Sequence, residues 1–263
     1  MNRVQFLLVG ICYKLIQSFR RSEADASANL AVYANDDLGL RISCFGEFES
    51  EILDCVRKRL GDSFGHSIFL DIGANVGNHT NGLAGSFFHC HSFEPDPRNF
   101  QLLKLNTAGN ARITCHKVAV SDRRGRSLLQ QDFTNSGKSR IVKEAAHSNS
   151  EHRTKLISVR AEKLDALFND ADEIGLLKID VEGHEENVLR GAKKLLKKHK
   201  PIIMLELLPS QIVSGRAKAL DYLSELGYTS FEEIKVSTVQ MHLLIWRPAL
   251  KWVSLVIVAM QIL

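Results

Sequence analysis

No cysteine pair in this chain has the spacing of a metal knuckle or a disulfide framework. Its five cysteines, Cys12, Cys44, Cys55, Cys90 and Cys115, are dispersed, with no C-x-x-C among them. That argues against a zinc site, and it fits a reducing compartment. Long hydrophobic runs are missing as well, since no stretch reaches the ~18 apolar residues that span a bilayer. Charge of one sign is not in large excess, at +4 over 263 residues. With no long basic stripe and no known nucleic-acid module, no nucleic-acid partner is expected. Also lacking is the middle glycine of G-x-G-x-x-G, because Asn75 occupies that region.

What is present suits one domain with a sizeable core plus extensions, as 44% of the residues are hydrophobic. Near the start, Val4, Leu7, Leu8, Ile11, Leu15 and Phe19 fall at helical spacing, flanked by Arg3, Lys14, Arg20 and Arg21. This pattern suits an amphipathic helix at a membrane surface. A secretory signal with Val4 to Cys12 as its apolar region is the alternative. Arg20-Arg21, lying before the small residues near Ala26 and Ala28, disfavours it. At the other end, Trp252 to Leu263 carries no charged side chain. Two readings stand for that tail: an element packed on the core or on a second subunit, or a membrane-surface contact. The expected location is cytoplasmic, with the termini as the points of membrane association.

Between the termini the pattern alternates. A hairpin is predicted with its turn at Asn35 to Gly39, joining Leu30–Tyr33 to Leu40–Cys44, and a helix follows from Ile52 to Leu60. Strands are expected at about 67–72, 89–94, 113–118, 174–181 and 201–207, and helices at about 78–88, 97–108, 184–199 and 210–226. Such alternation predicts an α/β fold, a mostly parallel sheet with helices on both faces. Two last strands, about 228–234 and 240–246, are expected to pair as a C-terminal antiparallel hairpin. The expected organisation is an extension over 1–46, a core domain over 47–248 and an apolar tail over 249–263. From about Asn135 to Arg153 the chain turns polar, a long excursion of the kind that forms lids or stays disordered. Lys193, Lys194, Lys197, Lys198 and Lys200 read as the solvated face and last turns of a helix.

Phe69-Leu-Asp-Ile-Gly-Ala-Asn-Val-Gly77 is a strand running into a glycine turn. Gly73 permits the turn, and Gly77 lets the next helix sit close. The second strand, His89 to Phe93, ends in Glu94, which is placed to accept hydrogen bonds from both ribose hydroxyls of an adenosine-type cofactor. Leu176 to His184 is a third strand, with Asp180, Glu182 and His184 at its carboxyl end, where open α/β sheets bind ligands.

The chain resembles the FkbM-type family of S-adenosylmethionine-dependent methyltransferases. The matching pieces are Asp71-Ile-Gly-Ala-Asn-Val-Gly-Asn-His-Thr80, Phe93-Glu-Pro-Asp-Pro97, Val118-Ala-Val-Ser-Asp122, Lys178-Ile-Asp-Val-Glu-Gly-His-Glu185, Val188-Leu-Arg-Gly-Ala192 and Met204-Leu-Glu-Leu207, in the family's order. The resemblance implies a Rossmann-like class I methyltransferase fold closed by a hairpin. It also implies S-adenosylmethionine as cofactor, and a hydroxyl of a sugar, lipo-oligosaccharide or polyketide-like molecule as acceptor.

On that reading Gly73, Ala74, Asn75 and Gly77 form the cofactor loop and Glu94 holds the ribose. Asp71 fixes the loop or reaches the cofactor's amino group through water. Asp122 either contacts adenine or serves as a turn residue. Asp180, Glu182 and His184 are the candidate catalytic residues: an imidazole suits base catalysis near neutrality, and the carboxylates orient it or hold the hydroxyl. Glu182 and His184 as caps of the following helix are the plainer alternative. Glu206, at the next strand end, is a further pocket candidate. Two rivals remain: a nicotinamide-dependent oxidoreductase, and a non-catalytic membrane-associated binding protein on the same fold. The acceptor is expected to be a small molecule or glycan, and a homo-oligomer is compatible with the tail.

Overall fold

A computed structural model describes residues 14, 30–34, 36–61, 63–142, 154–168, 173–207, 217–235, 240–246 and 255–261. The predicted N-terminal amphipathic helix lies outside the described residues apart from Lys14. Two helices open the described chain: α1 (Asp37–Phe45) and α2 (Ser50–Leu60). Residues 40–44 are therefore helical, and the predicted hairpin is corrected. Leu40, Ile42 and Cys44 alternate like a strand. However, Asp36 occupies the N-cap position, Asp37 favours the helix dipole in the first turn, and Ile42 is in the core while Leu40 is exposed.

Next come β1 (Ile68–Ile72), α3 (Asn78–Leu83), β2 (His89–Phe93), α4 (Pro97–Thr107), β3 (Ile113–His116), β4 (Ala119–Val120), β5 (Gly125–Asp132), β6 (Arg140–Val142) and β7 (Thr154–Glu162). Then follow α5 (Leu164–Leu167), β8 (Ile174–Ile179), α6 (Glu185–Gly191), α7 (Lys193–His199), β9 (Ile202–Leu207), α8 (Lys218–Glu225), β10 (Phe231–Lys235), β11 (Gln240–Trp246) and β12 (Leu255–Gln261). One long helix was expected over 184–199, and it breaks at Ala192. There the chain passes so close to β4's exit that a Cβ on Gly191 would meet the Ser121 carbonyl oxygen at 2.0 Å.

The main sheet runs β10-β11-β12-β9-β8-β1-β2-β3. Strands β3, β2, β1, β8, β9 and β12 are mutually parallel, and β11 is antiparallel to both of its neighbours. Residues 255–261, expected in a separate tail, are thus a strand of this sheet beside β9. An uncharged β-rich run is what an interior strand position accepts.

β1 is buried along its whole length, as a strand covered on both faces must be. Period-2 alternation divides its side chains between two cores. Leu70 and Ile72 join Leu177, Ile179, Ile203 and Leu205 under α6, α7 and α8. Phe69 joins Cys90, Leu176, Ile202 and Met204 against α2 and Leu83. A second sheet, β4-β7-β5-β6, has its own small core of Ala119, Leu129, Val159 and Ala161. Between β1 and β8 the strand order reverses direction, and ligands of such sheets bind at the carboxyl ends there.

Candidate active site

The turn after β1 is built by contact with both neighbouring strand ends. Gly73 and Ala74 each donate a backbone N–H to the Phe93 carbonyl at 3.0 Å. Gly73 has φ +82°, and a Cβ on it would lie 1.7 Å from the Asp180 carbonyl oxygen, so only glycine lets the β1 and β8 loops touch. Asn75, at φ 50°, donates its N–H to Glu94 Oε2 at 2.9 Å, and Asp96 donates to Oε1 at 2.8 Å. Burial pushes the Glu94 carboxyl up to about 8, with the nearby Asp96 and Asp180 charges adding to it. The N–H bonds from Asp96 and Asn75 only partly offset this. The side-chain Oδ1 of Asn75 is buried without a hydrogen-bond partner. Both groups line one cleft of about 310 Å³, together with Gly73 and Ala74.

At the edge of this wall sits a buried charge pair, of which Lys178 lines the cleft and Asp71 lies behind it. Lys178, 3% exposed in the middle of apolar β8, lies 3.4 Å from Asp71 Oδ1 and 3.3 Å from Asp180 Oδ2. Burial would lower its pKa, but Asp71, Asp180 and Glu206 outweigh that and raise it. Asp71 Oδ2 accepts from Thr80 Oγ1 at 2.6 Å. Its Oδ1 is near Lys178 without hydrogen-bond alignment, so the attraction is that of an ion pair. Asp71 is fully buried and not among the cleft-lining residues. Its place is that of a buttress tying β1 to β8. A lysine inside an apolar run was the available signal, since a charge is seldom buried unpaired.

Asp180, Glu182 and His184 all line the cleft, and so does Glu206. Glu182, at φ 51°, is pushed up to about 8 by burial, then by Asp180 and Glu185, while Lys138 and Arg140 pull the other way. Burial, followed by Asp180, Glu49 and Glu182, raises Glu206 well above the carboxylate range, against the pull of Lys178. His184 Nε2 is hydrogen-bonded to Ser121 Oγ at 2.9 Å, and that hydroxyl donates to Asp122 at 3.0 Å. Burial alone would raise Asp122, yet hydrogen bonds from Ser121 and Asn187 hold it below the usual value. Neither Asp122 nor Gly77 lines the cleft. Gly77, at φ +90°, instead seats α3 against α4, where a Cβ would stand 2.9 Å from Leu103. Among the described residues no cluster of three or more ligands suits a metal ion.

The described part of the polar excursion forms the opposite wall. Residues 135–141 all line the cleft, starting from a short 3-10 turn at Ser136–Lys138. Asn135 Oδ1 accepts from the Gly137 N–H at 3.0 Å, and Asn99 Nδ2 donates to the Ser136 carbonyl at 3.3 Å. Ser136 Oγ donates to Asp36, which joins this wall to the start of α1. Asp96, already bonded near Glu94, accepts from Gln131 at 2.7 Å and from Ser139 at 3.4 Å. The wall residues from the N-terminal segment, including Glu49 and Phe48, were not foreseen because nothing local marks them.

A family model, the methyltransferase FkbM domain, matches residues 71–230. A 2-O-methyltransferase, NoeI, of Sinorhizobium fredii (strain NBRC 101917 / NGR234) is 31% identical over 150 residues, covering 50% of this chain. The chain spans 59% of that relative's length. Among solved structures, an rRNA methylase from Streptococcus thermophilus is 12% identical with a TM-score of 0.39, over 72% of this chain and 87% of that one. An RNA methyltransferase described as putative, PH1948 of Pyrococcus horikoshii, is 11% identical with a TM-score of 0.36, over 93% of this chain and 94% of that one. Likenesses at those TM-scores carry no weight for function.

Proposed function

The chain belongs to the FkbM family of methyltransferases, and from that premise we propose that it moves a methyl group from S-adenosylmethionine to a hydroxyl of a sugar, lipo-oligosaccharide or polyketide-like acceptor. One observation carries the reading: Glu94 and the 73–75 turn meet at one cleft wall, with Asp180 and Glu182 beside them. The residues suit the cofactor's chemistry. A buried carboxyl held up at about 8 and an unpartnered Asn75 Oδ1 both seek donors or positive charge. S-adenosylmethionine brings an amino group, ribose hydroxyls and a sulfonium carrying an electrophilic methyl. A dinucleotide's pyrophosphate would meet carboxylates instead, which disfavours the nicotinamide reading.

In this proposal Gly73, Ala74, Asn75 and Glu94 hold the cofactor, while Asp71 and Lys178 keep the two strand ends in register. Asp180 and Glu182 receive and orient the acceptor hydroxyl, since methyl transfer depends chiefly on positioning an oxygen and excluding water. His184 shapes the floor through Ser121. The relative's name, 2-O-methyltransferase, favours a hydroxyl as the accepting group. The test is calorimetry with S-adenosylhomocysteine and with NAD, followed by mass spectrometry of candidate acceptors for one added methyl. Binding of NAD with no response to S-adenosylhomocysteine would sink the proposal.

Among the described residues no helix is long and apolar enough to cross a membrane. We further propose that residues 1–21 rest on a membrane surface, as their spacing suggests. Full-length protein that ignores anionic vesicles in sedimentation would refute this.

A further inference from the structure

One titratable pair in the cleft has no part in the scheme above. His79, the second residue of α3, places Nε2 3.1 Å from Oε2 of Glu49, just ahead of α2, and the two side chains are only 10% and 6% exposed. Both residues line the cleft. The two atoms stand close enough for a contact between ring and carboxylate, yet Nε2 is buried and off the line of a hydrogen bond. Such misalignment is common in ligand-free sites and tightens on binding.

The surroundings hold the pair in place. Asn78 clamps the residue before Glu49, donating from Nδ2 to the Phe48 carbonyl at 2.8 Å and accepting from its N–H at 3.0 Å. Glu49 itself takes a left-handed backbone, φ 57° and ψ 38°. A residue with a side chain is uncommon in that region, and such outliers cluster at functional sites. Glu49 also lines a small recess with Lys178, Asp180 and Glu206, so its carboxylate stands on the same floor as Asp180, one of the two proposed acceptor carboxylates. The other histidine of the cleft, His184, has its Nε2 engaged by Ser121.

We infer that His79 accepts the proton of the acceptor hydroxyl, with Glu49 as the positioning residue that engages Nε2 and leaves Nδ1 for the proton. This rests on the methyl-transfer reading. As the acceptor oxygen forms its bond to the methyl carbon, sulfur keeps the S–C electron pair and becomes a thioether. The O–H bond breaks, and its proton passes to Nδ1 and then to water. A carboxylate on the far nitrogen orients an imidazole and stabilises the imidazolium that forms.

The test uses full-length protein labelled with 15N-histidine, and its first arm needs no acceptor. With S-adenosylhomocysteine present, His79 is expected as the Nε2–H tautomer, and Glu49→Leu should disturb that signature. An Nδ1–H ring, or one protonated on both nitrogens, overturns the inference. The second arm is single-turnover methylation of methyl glycosides with free vicinal hydroxyls. His79→Gln should lower kcat by about 100- to 10,000-fold, the span of general-base catalysis, with acceptor KM and S-adenosylhomocysteine affinity kept. Glu49→Gln should lose less, and Glu49→Asp should recover part of that loss. A His79→Gln protein that binds S-adenosylhomocysteine and keeps kcat overturns the inference alone. Wild-type protein that does not bind it overturns the methyl-transfer reading instead.

Discussion

Two buried carboxylates on neighbouring strands have been given opposite surroundings. Asp71, inside β1, faces a buried lysine and a threonine hydroxyl. Glu94, just past β2, has only backbone N–H groups and is pushed up to about 8. The first arrangement is complete within the protein: charge meets charge and the strands stay in register. The second is unfinished, because a buried acidic group held by two neutral donors still gains from a cation or hydroxyl donors. A difference of this kind separates a structural seam from a binding wall better than burial does, since Asp71 is fully buried and Glu94 is 5% exposed.

The largest expected effect comes from breaking the completed pair. Lys178→Met leaves Asp71 buried and uncompensated, and removing one partner of a buried pair costs about 3–5 kcal/mol. Urea denaturation should show that loss. Adding Asp71→Asn should return a large part of it, because the stranded charge is then gone. If the single variant is as stable as wild type, the seam is not held by this pair.

The unfinished site should behave the other way round. Glu94 is mostly protonated at neutral pH, and Glu94→Gln leaves one of its two backbone N–H donors without an acceptor, so stability should fall by much less than in Lys178→Met. Affinity for S-adenosylhomocysteine should fall by about 10- to 100-fold, equivalent to one charge-assisted hydrogen bond of roughly 1.5–3 kcal/mol. Calorimetry reads this directly. Equal affinity in the variant would remove Glu94 from the cofactor wall.

A smaller effect follows from pH. Glu94 and Glu182 both rise from an ordinary value of 4.5 to about 8 on folding. The folded chain therefore keeps protons that the unfolded chain releases above its lower pKa. Their contribution is fully present below about pH 4.5 and is lost as pH rises through about 8. Melting temperature should decline from about pH 5 to about pH 8 and level off above that, at about 2–4 °C for each kcal/mol lost in a domain of this size. Glu182→Gln should flatten the decline, and a profile identical to wild type would show that Glu182 ionises freely.

Much of this was legible in the residues, and the gaps have physical causes. The β1, β2, β8 and β9 runs are apolar, short and bounded by turns, so their places and the carboxyl-end positions of Glu94 and Asp180 could be read locally. The Asp71–Lys178 pair spans more than a hundred residues, and only strand pairing reveals it. The hairpin expectation over 30–44 failed because five alternating residues cannot outweigh an aspartate pair opening a helix. Glu49 could not be found at all. It becomes a cleft residue only through the Asn78 clamp on Phe48, and side-chain-to-backbone contacts of that range leave no periodic trace. The C-terminal strand agrees with an element packed on the core, although an apolar run of its length does not by itself separate that from a subunit or membrane contact.

The smallest effect tests whether the unfinished character extends to the turn itself. Asn75 holds a left-handed backbone at φ 50° and carries a buried Oδ1 with no hydrogen-bond partner. Glycine adopts that backbone without a Cβ penalty and keeps the N–H that Glu94 accepts, while removing the orphaned acceptor. Leaving such an acceptor buried costs about 1–3 kcal/mol, and glycine's extra freedom in the unfolded chain takes back about 0.4–1 kcal/mol. Asn75→Gly should therefore gain roughly 0–2.5 kcal/mol of stability, while S-adenosylhomocysteine binds more weakly for want of the amide. A loss on the scale of Lys178→Met would mean that the amide supports the fold, placing Asn75 with Asp71 rather than with Glu94. Unchanged binding would mean that the cofactor touches only the backbone of this turn.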